Sequence, residues 1–139
     1  MILLDTNVLS ALMRKEPEIT VIRWLDRQPR TSVWTTSVTV FEIRFGLQVM
    51  AAGKRQRALA DAIELLLAEL LERRVAAFDG SAAAHAASVM ASRQRKGLTG
   101  ELRDTMIAGI ALATRATLAT RNVRHFEGLA CPVINPWES

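Results

Sequence analysis

The stretch that decides the fold is MILLDTNVLSALMR, residues 1–14. It opens with the apolar run Ile2–Leu4, which predicts a short buried strand. An acid, Asp5, follows this run directly, and apolar residues then resume. An acid at that point either starts the next helix or belongs to a functional site. Because Asn7 is a suitable N-cap for a helix over Val8–Arg14, we assign the helix start to Asn7 and leave Asp5 for a site.

Short apolar runs alternate with helical patterns along the rest of the chain. Strands are predicted at Ile2–Leu4, Val33–Thr36, Val75–Phe78, Thr117–Thr120 and Val133–Ile134. Helices are predicted at Val8–Arg14, Glu18–Arg27, Val40–Met50, Arg55–Arg73, Ala82–Gln94 and Leu102–Arg115. This alternation indicates an α/β fold with a mainly parallel sheet. No linker or repeat divides the sequence, so residues 1–139 are predicted to form one domain.

Composition and charge restrict the class of protein. The 139 residues are 50% apolar and 23% charged, which is typical of a soluble globular domain. A net charge of +4 and a pI of about 10.2 fit either a nucleic-acid partner or basic residues at solvated helix ends. The single cysteine, Cys131, excludes an intrachain disulfide and a multi-cysteine zinc site. No membrane-length apolar run or signal peptide is recognised, so we expect a cytoplasmic protein without membrane association.

Polar residues follow two of the predicted strands. Asp5 comes directly after the first strand, and Thr120-Arg121-Asn122 closes the fourth. Ligands of open parallel sheets bind beyond the carboxyl ends of the strands. We therefore expect these two polar segments to face one crevice.

Two further acids lie on helical faces that are otherwise apolar. Glu42 lies in TTSVTVFEIRFGLQVM, residues 35–50, and Asp104 lies in GELRDTMIAGIALA, residues 100–113. Each has a structural alternative. Glu42 matches a capping box that begins at Thr39, and Asp104 suits the first turn of a helix, where an acid complements the dipole.

A cluster of the three acids has a chemical consequence. Burying one unpaired carboxylate is costly, and gathering Asp5, Glu42 and Asp104 adds repulsion between like charges. A divalent cation would neutralise them, and oxygen ligands alone select hard ions such as Mg²⁺ or Mn²⁺. Such ions polarise phosphoryl oxygens and activate water. The acid cluster, the hard ion that it would bind and the basic character of the chain together indicate phosphodiester hydrolysis.

Several motifs of the chain resemble those of one family. They are MILLDTNVLSALM, TTSVTVFEIRFG, RDTMIAGIALA, ATLATRNVRHFEGL and VINPW, in that order along the chain. In this order and in a chain of this size, they resemble the PIN-domain ribonucleases of VapC type, the toxins of bacterial toxin–antitoxin pairs.

This resemblance implies a fold, an activity and partners. The implied fold is a three-layer sandwich around a short parallel sheet. The implied activity is that of a Mg²⁺- or Mn²⁺-dependent endoribonuclease, with Asp5, Glu42 and Asp104 as metal ligands and with Asn122 and Thr6 orienting the attacking water. The implied partners are an RNA substrate, a cognate antitoxin, operator DNA bound through the antitoxin, and a second copy of the chain in a homodimer or a larger toxin–antitoxin assembly.

Two residues depart from the family pattern. Asn122 and His125 stand at positions where the family often has Asp. They put a second metal ion in doubt, although Glu101 is placed to supply a further carboxylate. They also leave a second hypothesis open, a catalytically weak regulator that acts through antitoxin and operator binding. A third, minor hypothesis is a phosphatase or phosphoacceptor domain with Asp5 as nucleophile, which Asn7 disfavours because phosphatases commonly carry a second Asp there.

Overall fold

The computed structural model describes residues 1–138 and contains a parallel sheet. Its strands are β1 (Ile2–Leu4), β2 (Val33–Thr36), β3 (Val75–Ala76), β4 (Thr117–Ala119) and β5 (Val133–Ile134). They lie in the order β3-β2-β1-β4-β5, and every neighbouring pair is parallel. The predicted α/β fold with a mainly parallel central sheet is confirmed. The assignment of residues 1–139 to a single domain stays a prediction.

Helices cover both faces of this sheet. They are α1 (Thr6–Met13), α2 (Ile19–Asp26), α3 (Ser37–Val49), α4 (Lys54–Leu65), α5 (Gly80–Arg95) and α6 (Leu102–Thr114). The predicted helix over Arg55–Arg73 is wrong in its last third, because α4 passes at Leu66–Leu70 into a π-helical turn. Among residues 1–138, no helix has both the length and the hydropathy that crossing a bilayer requires.

The side chains of β1 point alternately to the two faces of the sheet, and a separate layer of the core lies on each face. Leu3 and Leu118 pack on one face with α5 and α6, in a cluster that includes Ile107 and Ile110. Leu4 packs on the opposite face with residues of α1, α2, α3 and α4. Neighbouring side chains of a strand point to opposite faces, so a three-residue strand supplies both layers. The three-layer sandwich follows from this arrangement.

The two helices α5 and α6 lie unusually close together. A Cβ built on Gly109 would lie 2.8 Å from Cβ of Ala86, which is closer than such atoms approach in proteins. The absence of a side chain at Gly109 therefore permits this approach. The packing of α6 on α5 therefore depends on Gly109.

Strand register aligns one edge of the sheet. Leu4 pairs with Thr35 of β2 and with Ala119 of β4. The next residues along these strands, Asp5, Thr36 and Thr120, therefore lie side by side at the carboxyl edge, and all three are buried. This is the edge at which ligands of parallel sheets bind.

Candidate active site

A cleft of about 370 Å³ opens at the carboxyl edge of the sheet. Its wall includes all five residues that the sequence singled out, namely Asp5, Thr6, Glu42, Asp104 and Asn122. Glu101 and His125 also line it. Three different elements bring the acids together: Asp5 follows β1, Glu42 lies on α3, and Asp104 lies in the first turn of α6.

Asp5 is the most deeply placed acid, with 4% of its surface exposed. Its Oδ1 accepts a hydrogen bond from the backbone N–H of Thr6 at 2.8 Å, and its Oδ2 accepts one from the Thr120 hydroxyl at 2.7 Å. Asp5 occupies the N-cap position of α1. The assignment of the helix start to Asn7 is therefore wrong, because α1 begins at Thr6 and Asp5 serves both as the cap and as a wall of the cleft.

Asn7 instead connects the ends of β1 and β4. Its amide nitrogen lies 3.5 Å from Oδ2 of Asp5 and 3.3 Å from the Thr120 hydroxyl, to both of which it donates. Its amide oxygen accepts from the N–H of Arg121 at 3.0 Å. These bonds confirm that the polar segments after the two strands face one crevice.

Thr120, which the sequence placed in the cleft only as part of a polar segment, positions other residues of the site. Its hydroxyl donates to Asp5, accepts from the amide of Asn7, and accepts from the N–H of Asn122 at 3.0 Å. The residue is fully buried. A threonine at the end of a strand is ordinary in sequence, and its position two residues before Asn122 was the available signal.

Glu42 faces the cleft and does not cap its own helix. The hydroxyl of Thr36 accepts from the N–H of Thr39 at 3.0 Å, so α3 begins three residues before the predicted Val40. The capping-box alternative for Glu42 is therefore wrong. Instead, Oε1 of Glu42 accepts from the Thr6 hydroxyl at 3.2 Å.

Asp104 has a specific partner in addition to the helix dipole. Its Oδ2 lies 2.7 Å from Nδ1 of His125, which comes from the segment after β4. The side chain of Asp104 is 14% exposed, and that of His125 is 52% exposed. This contact brings His125 into the wall of the cleft.

Burial raises the pKa of each of the three acids above its ordinary value. For Asp5 and Asp104 the desolvation of the carboxylate is the largest cause, and Asp5 further raises the pKa of Asp104 through repulsion. Burial is also the largest cause of the raised pKa of Glu42. The hydrogen bond from Thr6 lowers this pKa, whereas the charge of Asp5 raises it further. The site therefore favours a bound proton or a bound cation over three free charges.

The donor set fits a hard divalent cation. Within residues 1–138, no three Asp, Glu, His or Cys side chains are arranged to hold a metal ion as they stand. Carboxylates from three elements nevertheless line one small cleft, and their repulsion is part of the reason that their pKa values are raised. All-oxygen ligands of this kind suit Mg²⁺ or Mn²⁺.

Basic side chains flank the acids. The guanidinium of Arg121 lies 4.7 Å above the ring of Trp137 at the rim of the cleft. A second cavity of about 440 Å³ shares Glu101, Asp104 and His125 with the first, and Arg93 and Arg124 lie along it. The two cavities thus adjoin at these three residues, and arginine side chains line each of them.

Comparison with known proteins places this chain in a family. The family model described as PIN domain matches residues 2–130. The chain belongs to the PIN-domain family. The predicted resemblance to VapC-type members is confirmed, and the fold agrees with that family.

Full-length relatives share this PIN domain. The chain is 41% identical over 139 residues to the plasmid stability protein StbB of Pseudomonas syringae pv. tomato, with 100% of both chains covered. It is 38% identical to the VapC ribonuclease Y4jK of Sinorhizobium fredii, with 99% of each chain covered. A solved structure of FitAB bound to an IR36 DNA fragment contains a chain that is 34% identical, with a TM-score of 0.87 and coverage of 99% of this chain and 96% of that one.

Proposed function

We propose that this PIN domain is a divalent-cation-dependent endoribonuclease and the toxin of a type II toxin–antitoxin pair. The observation that carries the proposal is the meeting of Asp5, Glu42 and Asp104 in one cleft at the carboxyl edge of the sheet. The name of the Sinorhizobium relative, a VapC ribonuclease, supports RNA as the substrate.

In this proposal the three carboxylates hold Mg²⁺ or Mn²⁺. The bound ion would supply charge stabilisation at the scissile phosphate and a lowered pKa of water. The chain's own residues position the ligands: Thr120 and the N–H of Thr6 orient Asp5, the Thr6 hydroxyl orients Glu42, and His125 orients Asp104. Asn122 lines the same cleft and is assigned the orientation of the attacking water.

The cleft and the cavity that adjoins it form a basic groove that suits a single RNA strand. Arg121, held over Trp137, lines the cleft of the carboxylates, and Arg93 and Arg124 line the adjoining cavity. Arginine binds phosphate through paired N–H donors. A flexible or looped RNA segment can follow such a groove, whereas an A-form duplex presents its backbone less freely.

Assembly with other molecules is proposed from the family. We assign a cognate antitoxin, a second copy of the chain, and operator DNA bound through the antitoxin as partners. The similarity to a chain of the DNA-bound FitAB structure supports the last of these.

A catalytically weak regulator is the second candidate. It is favoured by Asn122 and His125, which line the cleft without adding a carboxylate. A phosphoacceptor role for Asp5 fits less well, because both of its oxygens accept hydrogen bonds in a buried position.

One experiment separates these functions. Antitoxin-free protein is incubated with RNA and Mg²⁺ or Mn²⁺, beside the Asp5→Ala variant and a chelator control. The nuclease proposal expects cleavage that both the substitution and chelation abolish. Cleavage that persists in either control rules out the proposed site, and intact RNA together with antitoxin and operator binding favours the regulator.

A further inference from the structure

Arg103 lies between two acids of the cleft. Its Nε lies 2.9 Å from Oε1 of Glu101, and its Nη1 lies 3.8 Å from Oε2 of Glu42. Oε1 of Glu42 is bonded to Thr6, so Arg103 faces the oxygen that Thr6 leaves free. The guanidinium of Arg103 therefore lies beside Glu42, a carboxylate that we propose as a ligand of the divalent ion.

The position of Arg103 on its helix is electrostatically unfavourable. Arg103 is the second residue of α6, where the helix dipole favours acids and disfavours cations. The carboxylates of Glu42 and Glu101 offset this cost, and they raise the pKa of the guanidinium. The two carboxylates therefore explain the position of Arg103, which the dipole of α6 alone would disfavour.

The cations that line the cleft, Arg14 and Arg121, have other partners. Arg121 stacks on Trp137, and Arg14 pairs with Glu18 at 3.4 Å. Arg103 is 42% exposed and is held by Glu101 at 2.9 Å, but its contact to Glu42 is long, so the guanidinium can move away from Glu42 without opening the core. A loose, exposed ion pair of this kind is weakly held.

We propose that Arg103 exchanges partners: it neutralises Glu42 and Glu101 while the cleft holds no divalent ion, and it binds an RNA phosphate once the ion has taken Glu42. This inference rests on the proposed function. A divalent cation at Glu42 repels the guanidinium and removes one of its two counter-charges. The guanidinium keeps its contact to Glu101 through Nε, and its freed N–H donors bind a phosphate of the bound strand.

The first experiment measures the competition without RNA. Mn²⁺ is titrated by calorimetry into the wild type, Arg103→Gln, Arg103→Lys and Arg44→Gln. Arg44 pairs at 2.7 Å on the surface with Glu64, an acid that does not line the cleft, so it is the matched control. Removing one unit charge near 4 Å from the ligand is expected to tighten Mn²⁺ binding about fivefold in Arg103→Gln. The lysine variant and the control are expected to bind as the wild type does.

The second experiment measures the phosphate contact. A labelled single-stranded DNA oligonucleotide, which presents backbone phosphates without a 2′-hydroxyl, is titrated into the Mn²⁺-loaded proteins at several salt concentrations. Arg103→Gln is expected to bind it more weakly, with a log–log salt slope shallower by about 0.7, the value for one lost phosphate contact on a single strand. Arg44→Gln is expected to keep the wild-type slope.

The outcomes separate the inference from the function on which it rests. Arg103→Gln that binds Mn²⁺ more tightly and the oligonucleotide more weakly than the wild type supports the exchange. The loss of a purely structural ion pair would not shift the two affinities in opposite directions. Equal Mn²⁺ affinity of Arg103→Gln and the wild type, or an unchanged salt slope, overturns the exchange and leaves the nuclease proposal standing. A wild type that binds no Mn²⁺ overturns both.

Discussion

The hydroxyl of Thr120 donates to Oδ2 of Asp5 at 2.7 Å and joins the ends of β4 and β1 inside the cleft. Both side chains are almost inaccessible to solvent. The same hydroxyl accepts hydrogen bonds from Asn7 and from the N–H of Asn122. One uncharged residue therefore sets the position of the deepest acid and of the segment that carries Asn122.

Replacing Thr120 with valine tests this arrangement. The substitution keeps the shape of the side chain but removes a donor to a buried carboxylate and an acceptor for two donors. We expect the free energy of unfolding to fall by about 1–3 kcal/mol, as for other buried groups left without partners. The pKa of Asp5 is expected to rise further, because the Thr120 hydrogen bond lowers it. Urea denaturation at neutral pH measures the loss.

Thr114→Val is the matched control for this change. The hydroxyl of Thr114 donates to the carbonyl of Ile110 at 2.8 Å in the exposed last turn of α6. Its removal is expected to change the free energy of unfolding by no more than about 0.5 kcal/mol. Equal losses in the two variants would show that the Thr120 network has no special weight.

Stability in the absence of divalent ions is expected to depend on Asp104. Its pKa is raised in the folded protein above the ordinary 3.8, mainly by burial, so the folded state holds this proton more tightly than the unfolded state does. The contribution is present in full below the unfolded pKa and is lost as pH rises through the folded pKa. Asp104→Asn, which cannot ionise, is therefore expected to gain stability relative to the wild type as pH rises through that window. Urea titrations at a series of pH values, with a chelator present, measure the difference.

Glu64 supplies a control of opposite sign. Its pKa is lowered from the ordinary 4.5 by its hydrogen bond and charge pairing with Arg44, and the residue is fully exposed. Glu64→Gln is therefore expected to lose a little stability relative to the wild type as pH rises. Saturating Mn²⁺ is expected to abolish the advantage of Asp104→Asn, because the ion then replaces the proton. An advantage that survives Mn²⁺ would argue against Asp104 as a ligand.

Asn122→Asp tests whether the missing carboxylate limits the site. The side chain lines the cleft beside the acids, so a further negative charge there is expected to strengthen Mn²⁺ binding by about three- to tenfold. The same charge is expected to lower the stability of the ion-free protein. Calorimetry and urea denaturation measure the two effects. Gln48→Glu adds an equal charge at an exposed position of α3 outside the cleft wall, and Mn²⁺ affinity that rises equally in both variants would trace the effect to net charge alone.

Much of the fold could be predicted because burial and polarity alternate clearly in this sequence. The limits of β1, β2 and β5 agree with their apolar runs. The starts of α1 and α3 could not be predicted, because Asp5 directly follows β1 and Thr36 ends β2, yet each also caps the following helix. Each of these two residues has two structural roles, and the sequence pattern predicted only one of them.

The candidate site was predictable where charged side chains interrupt surfaces that are otherwise apolar. Asp5, Glu42 and Asp104 stood out because acids are rare on apolar surfaces. Thr120 stood out only as part of the polar segment after the fourth strand, with no role of its own. Arg103 did not stand out, because an arginine near a helix start is common in sequence. Their importance depends on contacts between residues far apart in the chain, which spacing alone does not show.

The close approach of α5 and α6 gives the last prediction. A methyl group at Gly109 would meet Cβ of Ala86 at 2.8 Å and its backbone nitrogen at 3.0 Å, so Gly109→Ala forces the two helices apart. Overpacking of this kind costs about 1–3 kcal/mol, more than the gain in helix propensity returns. Gly46→Ala is the matched control, because a Cβ at Gly46 in α3 meets no atom within 4 Å, and the same substitution there is expected to stabilise by about 0.5–1 kcal/mol. Urea denaturation of both variants measures the difference, and two changes of the same sign would contradict the packing argument. Because α6 carries Asp104 in its first turn, Gly109→Ala is also expected to weaken Mn²⁺ binding, whereas Gly46→Ala is expected to leave it unchanged.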